Sequence, residues 1–173
     1  NFRRNVDGAT ITGIEIDSAM ILGNGLSLTG GVSFNQAELD SDFKTIAREP
    51  AVVWAEEGRR LAHVPEWKVT LGARYDWSFG AGQLGYAQVN WSYTDERWSL
   101  LARQSESEPR LMDSYSLLDV RGGADFENGW SAELFISNLT NERPEIFANS
   151  GYYDPRVTTS RPRTAGIRIK VRG

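Results

Sequence analysis

Between residues 67 and 77, Trp67, Val69, Leu71, Ala73, Tyr75 and Trp77 fall on one parity and Lys68, Thr70, Gly72, Arg74 and Asp76 on the other. A helix turns 100° per residue and would scatter both sets around its circumference, whereas a strand places them on opposite faces. The same period of two recurs along the chain. Leu26, Leu28, Gly30, Val32 and Phe34 alternate with Ser27, Thr29, Gly31, Ser33 and Asn35. Gly85, Ala87, Val89, Trp91 and Tyr93 alternate with Gln88, Asn90 and Ser92. Further runs follow at 118–126, 130–137 and 165–172, and a first one at Ile14 to Leu22, which makes about seven strands. The fold class is therefore all-β and antiparallel.

Alternation alone does not say which face meets water, because a soluble sandwich or barrel alternates as well. The ends of the strands discriminate. On the apolar face Phe34, Trp67, Trp91 and Tyr93 gather toward one end, and Trp77, Phe126 and Trp130 toward the other. Indole and phenol rings favour the headgroup level of a membrane, so two aromatic girdles around an aliphatic band suit a lipid-facing surface. The connections alternate too. Gly23-Asn24-Gly25, Ser78 to Gly82 and Glu127-Asn128-Gly129 are tight turns, while the stretches 37–64, 95–113 and 140–162 are long. Short periplasmic turns and long extracellular loops are the outer-membrane arrangement. A membrane span made of helix would need about 18 to 20 apolar residues in a row, but a barrel strand needs only about 9 to 11.

The expectation is thus an antiparallel transmembrane β-barrel segment in the bacterial outer membrane, with lipid on its outer face. Seven strands with an open upstream edge leave backbone groups unsatisfied in lipid, so more barrel is expected before Asn1. The inward parity carries Glu15, Asp17, Lys68, Arg74, Asp76, Asp119, Arg121, Asp125, Glu133, Arg168, Lys170 and Arg172. Charges at that density fit a wide hydrated or plugged lumen of about 22 strands better than a dry core.

Four segments resemble the C-terminal barrel of TonB-dependent receptors. Asn5 to Ile16 (NVDGATITGIEI) resembles a small-residue turn leading into a barrel strand, and Gly58 to Pro65 (GRRLAHVP) resembles a loop returning to one. Ile136 to Arg143 (ISNLTNER) and Arg161 to Val171 (RPRTAGIRIKV) resemble the exit of the penultimate strand and the start of the last. The resemblance covers essentially all of residues 1–173, read as the C-terminal part of one barrel domain with the plug domain and upstream strands outside it. It implies active uptake of a scarce ligand, an iron–siderophore complex first, a carbohydrate or cobalamin as the alternative. The implied partners are outer-membrane lipid, the TonB energy-transducing complex acting through the N-terminal region, a small-molecule ligand and the barrel assembly machinery. Barrels of this family usually finish on an aromatic residue, whereas this chain stops at Arg172-Gly173, so it is either clipped or carries an altered insertion signal. A passive porin or small barrel and a soluble lipocalin-like module are the competing readings.

Other chemistry is thinly represented. The net charge of −4 offers no basic surface for nucleic acid, and no cysteine and one histidine leave little for a zinc site or a His-dependent triad. Neither a catalytic constellation nor a cofactor is expected. GAGQLG at Gly80 to Gly85 spells a dinucleotide fingerprint, yet strands on both sides make it a turn. Gly85 then faces outward and is expected beneath the Tyr75 ring. Asp40-Ser41-Asp42 reads as a solvated acidic loop, and His63 as a loop residue near Pro65. Asn138-Leu139-Thr140 spells a sequon but reads as a strand terminator.

Aromatic and arginine side chains on the long connections are the candidates for ligand contact, since they can stack on and pair with an anionic chelate. They are Trp54, Arg59, Arg60, Arg97, Trp98, Arg103, Phe147, Tyr152, Tyr153 and Arg156. Tyr152 and Tyr153 can equally pack a folded loop, and Arg59 and Arg60 can pair with Glu56 and Glu57.

Overall fold

In the computed structural model, which describes residues 8–44, 52–101, 109–150 and 155–171, the chain is a meander of antiparallel strands. The strands are β1 (Ala9–Gly23), β2 (Leu26–Leu39), β3 (Phe43–Lys44), β4 (Val53–Ala55), β5 (Trp67–Phe79), β6 (Gln83–Thr94) and β7 (Arg97–Trp98). They continue as β8 (Leu111–Met112), β9 (Tyr115–Asp125), β10 (Trp130–Ser137), β11 (Glu145–Ser150), β12 (Pro155–Thr159) and β13 (Thr164–Val171). One seven-stranded sheet runs in the order β1-β2-β5-β6-β9-β10-β13. Three two-stranded hairpins, β3-β4, β7-β8 and β11-β12, grow from the long connections. The seven sheet strands are those read from the alternation. The hairpins were not, and β2 continues to Leu39, into a stretch read as loop.

The register aligns the parities across the sheet. Phe34 faces Trp67, Leu71 faces Trp91, Val89 faces Val120 and Leu134 faces Ile167, so the apolar positions form one continuous face. The sheet is a single layer. Leu71 is 54% exposed, Leu134 62%, Ile167 70% and Ile169 63%, values no water-soluble core would leave open. Among the described residues the buried apolar side chains are Ala37, Leu39, Ala55, Met112 and Ala148, and all lie at the end carrying the long connections. Apolar side chains in the body of the sheet are therefore left for a surrounding apolar phase to cover.

Strand length fits that phase. The 13 residues of β5 rise about 43 Å along the strand, or about 33 Å at a tilt of roughly 40°, somewhat more than a barrel's apolar band. The girdle side chains sit at the ends of this band. Phe34 and Trp67 lie 4.8 Å apart and Trp91 stacks on Tyr93 at 6.3 Å near the long connections. Trp77 stacks on Tyr75 at 5.8 Å and Phe126 meets Phe79 edge-on at 6.3 Å near the tight turns. Trp130 pairs with Val171 at that same end.

The tight turns depend on glycine. Gly23, Asn24 and Gly25 all have positive φ, and Gly25 lies directly against the Asp76 carbonyl, where a Cβ has no room. At Gly85 the ring that covers the backbone is Trp77, not Tyr75. The β5-β6 register sets Trp77 opposite Gly85 and Tyr75 opposite Ala87, and a Cβ on Gly85 would lie 2.6 Å from the Trp77 indole. The aromatic cover of a strand glycine is present, displaced by one pair of residues.

Candidate functional site

Two surfaces can meet a solute: the charged face of the sheet and the folded connections at its far end. On the charged face one cross-strand row runs Asp76, Tyr86, Gly123, Glu133, Arg168. Gly123 leaves room for the Tyr86 ring, which lies over it and carries its hydroxyl to the Glu133 carboxylate two strands away. Arg74 grips Asp76 through Nε at 2.9 Å and Nη2 at 2.7 Å and stacks on Tyr86 at 3.9 Å. Arg168 donates to Glu133 at 2.6 Å. Phe135 covers Gly166 in the same manner as Tyr86 covers Gly123. Alternation explains why these charges share a face; the glycines explain how side chains on separate strands reach each other.

The connections build a cap. After β2, Leu39 and Ala55 form a small core with Phe43, Leu61 and Leu101, and the chain returns along β2 through Gly58 N–H to the Leu39 carbonyl and Leu61 N–H to the Ala37 carbonyl. Leu101 belongs to the second connection, so this core already joins two of them. The Arg59 guanidinium lies 4.2 Å over the Trp98 ring, and His63 N–H donates to the Trp98 carbonyl at 2.8 Å. The His63 ring stacks on Phe147 at 5.2 Å, reaching the third connection. Arg97 Nη2 donates to the carbonyls of Glu145 at 3.1 Å and Ile146 at 3.0 Å, while Arg110 holds the Glu145 carboxylate at 2.7 Å.

Electrostatics on the cap follow from these contacts. His63 is held below its ordinary value first by burial and then by the Arg97 charge. Asp42 is lowered chiefly by the Glu57 N–H that its carboxylate accepts, then by Lys44 at 3.3 Å. The acidic loop is thus fastened as well as solvated. Among the described residues no cluster of metal-ligating side chains occurs.

The sequence candidates separate by exposure. Trp54 (40%) and Phe147 (46%) are open, and Arg156 on β12 is also exposed. Arg59, Arg60 and Trp98 are half-buried, and Arg97, at 6%, is buried. Arg60 pairs with Glu66 at 3.1 Å and reaches toward Glu96 at 3.9 Å, rather than with Glu56 or Glu57. Arg103, Tyr152 and Tyr153 lie outside the described residues. The sequence reading missed His63 as part of the cap. Its single signal was a lone histidine followed at once by Val64-Pro65 at the foot of a long connection.

Asn138 and Asn141 show why ISNLTNER stands where it does. Both adopt positive φ, which Asn tolerates better than most residues. Asn138, 5% exposed, donates through Nδ2 to the carbonyls of Glu142 at 2.7 Å and Arg161 at 2.9 Å and accepts from Glu142 N–H at 2.9 Å. Asn141 accepts from Arg163 N–H at 3.0 Å. The two motifs at the end of the chain are one clamp, fastening the turn after β10 to the start of β13.

An apolar face open to its surroundings, a charged opposite face, tight turns at one end and a folded cap at the other describe the wall of an outer-membrane-type β-barrel. The chain belongs to the TonB-dependent receptor-like β-barrel family, whose family model matches residues 1–139. Its fold is similar to the crystal structure of the siderophore receptor PiuA from Acinetobacter baumannii, with a TM-score of 0.68 at 18% identity. That match covers 93% of this chain and 21% of the other, so the chain spans about a fifth of that receptor's length. No curated protein matches it. Barrels of this family are outer-membrane proteins and transport receptors rather than enzymes.

Proposed function

We propose that this chain is the C-terminal wall and outer cap of an outer-membrane receptor that takes up a scarce ligand, an iron–siderophore complex, driven by TonB. The observation that carries the reading is the joining of all three long connections into one folded cap above a charged lumen face. A passive pore needs no such surface spread across its mouth; a receptor that must capture a dilute solute does. The two open edges of the seven-stranded sheet, at β1 and β13, support a place within a larger closed barrel. The remainder of that barrel, the plug and the TonB-contacting segment belong to the whole receptor. Ligand meets the exposed aromatic and basic side chains of the cap, Trp54, Phe147 and Arg156 foremost among those described. Iron-chelate cargo is supported by the fold likeness to a siderophore receptor.

The test is growth of a strain deleted for the full gene under iron limitation, with chelates supplied singly. Loss of growth on one ferric chelate is expected, restored by the intact gene. Intact iron-chelate uptake with loss of growth on an oligosaccharide or cobalamin would reassign the cargo, and uptake that survives collapse of the proton-motive force would favour a passive pore. Trp54→Ala, Phe147→Ala and Arg156→Ala are each expected to weaken uptake more than Asp42→Ala.

A further inference from the structure

We propose that Arg97 is a positioning residue that fastens the second long connection to the third, so that the three connections hold one shape before any ligand arrives. Arg97 begins β7, at the top of β6. Its side chain is withdrawn from solvent, 6% exposed, with its guanidinium carbon 5.5 Å from the centre of the Tyr115 ring. Such a charge normally sits against a carboxylate. Here Nη2 instead donates to two successive main-chain carbonyls, Glu145 and Ile146, where β11 begins. The nearby carboxylate of Glu145 is held by Arg110. A desolvated guanidinium loses heavily if its acceptors move away, and one nitrogen bonded to two successive carbonyls is satisfied only while both stay in place, so these bonds fix where β11 starts. A carboxylate on a long side chain would have tethered without fixing the backbone.

The next residue completes the fastening. Trp98 points from the other side of β7 and takes Arg59 on its ring and His63 N–H on its carbonyl, both from the first connection. The His63–Phe147 stack joins the first connection to the third and closes the loop of contacts. Two adjacent residues therefore touch both neighbouring connections. Because Arg97 is buried, its effect on capture passes through Phe147 and the β11-β12 hairpin, not through contact with the ligand. In this respect the inference rests on the cap being where ligand is met.

Amide hydrogen exchange on the full receptor in lipid nanodiscs, without ligand, tests it. Arg97→Gln is expected to speed exchange about tenfold or more at residues 145–148 and at His63, with amides of β5 and β6 unchanged, as loss of charge-assisted bonds at a local opening predicts. Arg97→Lys, which keeps the charge but ends on a shorter side chain without the planar guanidinium that sets Nη2 between the two carbonyls, is expected to fall between. Phe147→Ala, at an exposed side chain that folding tolerates, is expected to speed exchange at His63 and to show less than additive change when combined with Arg97→Gln. Faster exchange confined to 97–99, or unchanged exchange at 145–148, overturns the proposal. So does an Arg97→Gln receptor that fails to fold if Phe147→Ala alone leaves His63 unchanged. Ferric-chelate affinity measured on the same variants separates the two claims: coupled exchange without ferric-chelate binding by the intact receptor sinks the ligand reading and leaves the fastening standing.

Discussion

Replacing Leu71 by Arg places a charge near the middle of the apolar band. Leu71 lies one residue from the midpoint between Trp67 and Trp77 on β5, points outward between Gly30 and Trp91, and is 54% exposed on a face with no protein layer above it. An arginine on the lipid face of a barrel costs roughly 2 to 4 kcal/mol at the bilayer midplane and falls toward about 1 or less at the interface. Along β5 Leu71 lies four residues from Trp67 and six from Trp77, but Trp91 of one girdle stands directly beside it on β6, so the lower part of that range, about 2 to 3 kcal/mol, applies. The neighbouring Thr70 lies on the opposite, polar face of the sheet among Gly31, Gly72 and Ser92, and Thr70→Arg is expected to cost under about 0.5 kcal/mol. The ratio of folded to unfolded receptor should thus differ by roughly 10- to 160-fold between two substitutions one residue apart. Reversible urea unfolding of the full receptor in phospholipid vesicles reads this difference directly. Equal losses at 70 and 71, or a larger loss at 70, would refute the assignment of faces.

Three further outcomes follow from particular contacts. Asn138→Ala removes two donated bonds and one accepted bond at a buried residue with φ of 53° and is expected to lower stability by about 2 to 4 kcal/mol in the same unfolding assay, with Asn138→Gly recovering only the backbone part. Gly85→Val forces the Trp77 indole from its seat and is expected to cost about 1 to 3 kcal/mol, less in a Trp77→Ala background. His63, depressed from 6.5 by burial and Arg97, binds fewer protons in the folded cap than when released. The cap should therefore hold fully above about pH 6.5 and loosen as pH falls toward the depressed value, seen as faster exchange at residues 145–148 after correction for intrinsic rates; His63→Gln should abolish that dependence.

The sheet was legible because one parity rule governs every strand. Trp67 to Trp77 announces its two faces without reference to any neighbour, and Gly-Asn-Gly announces its turn. The cap was not, because its hairpins are two or three residues long at β3-β4 and β7-β8, too short for any period, and its joints are cross-connection contacts such as Arg59 on Trp98 and His63 on Phe147. Residue type singled out Arg97, Trp98 and Phe147, but only burial separates the arginine that builds the cap from the aromatic left open on it. Gly85 illustrates the limit from the other side. That an aromatic ring covers it was readable from composition and parity, but which ring depends on a register set by the length of the turn at 80–82.

The chain contains no cysteine, so single cysteines can be placed along β5 from 67 to 77 one at a time in the full receptor, any native cysteines outside this chain being first replaced. Labelled with a nitroxide in lipid vesicles, each position reports contact with membrane-soluble oxygen against a water-soluble nickel chelate. Odd positions should favour oxygen and even positions the chelate, with oxygen contact on the odd face greatest near 71 and 73 and declining toward Trp67 and Trp77. A uniform preference for the water-soluble reagent along the whole strand, or an alternation of opposite phase, would contradict a lipid-facing barrel wall and everything built on it.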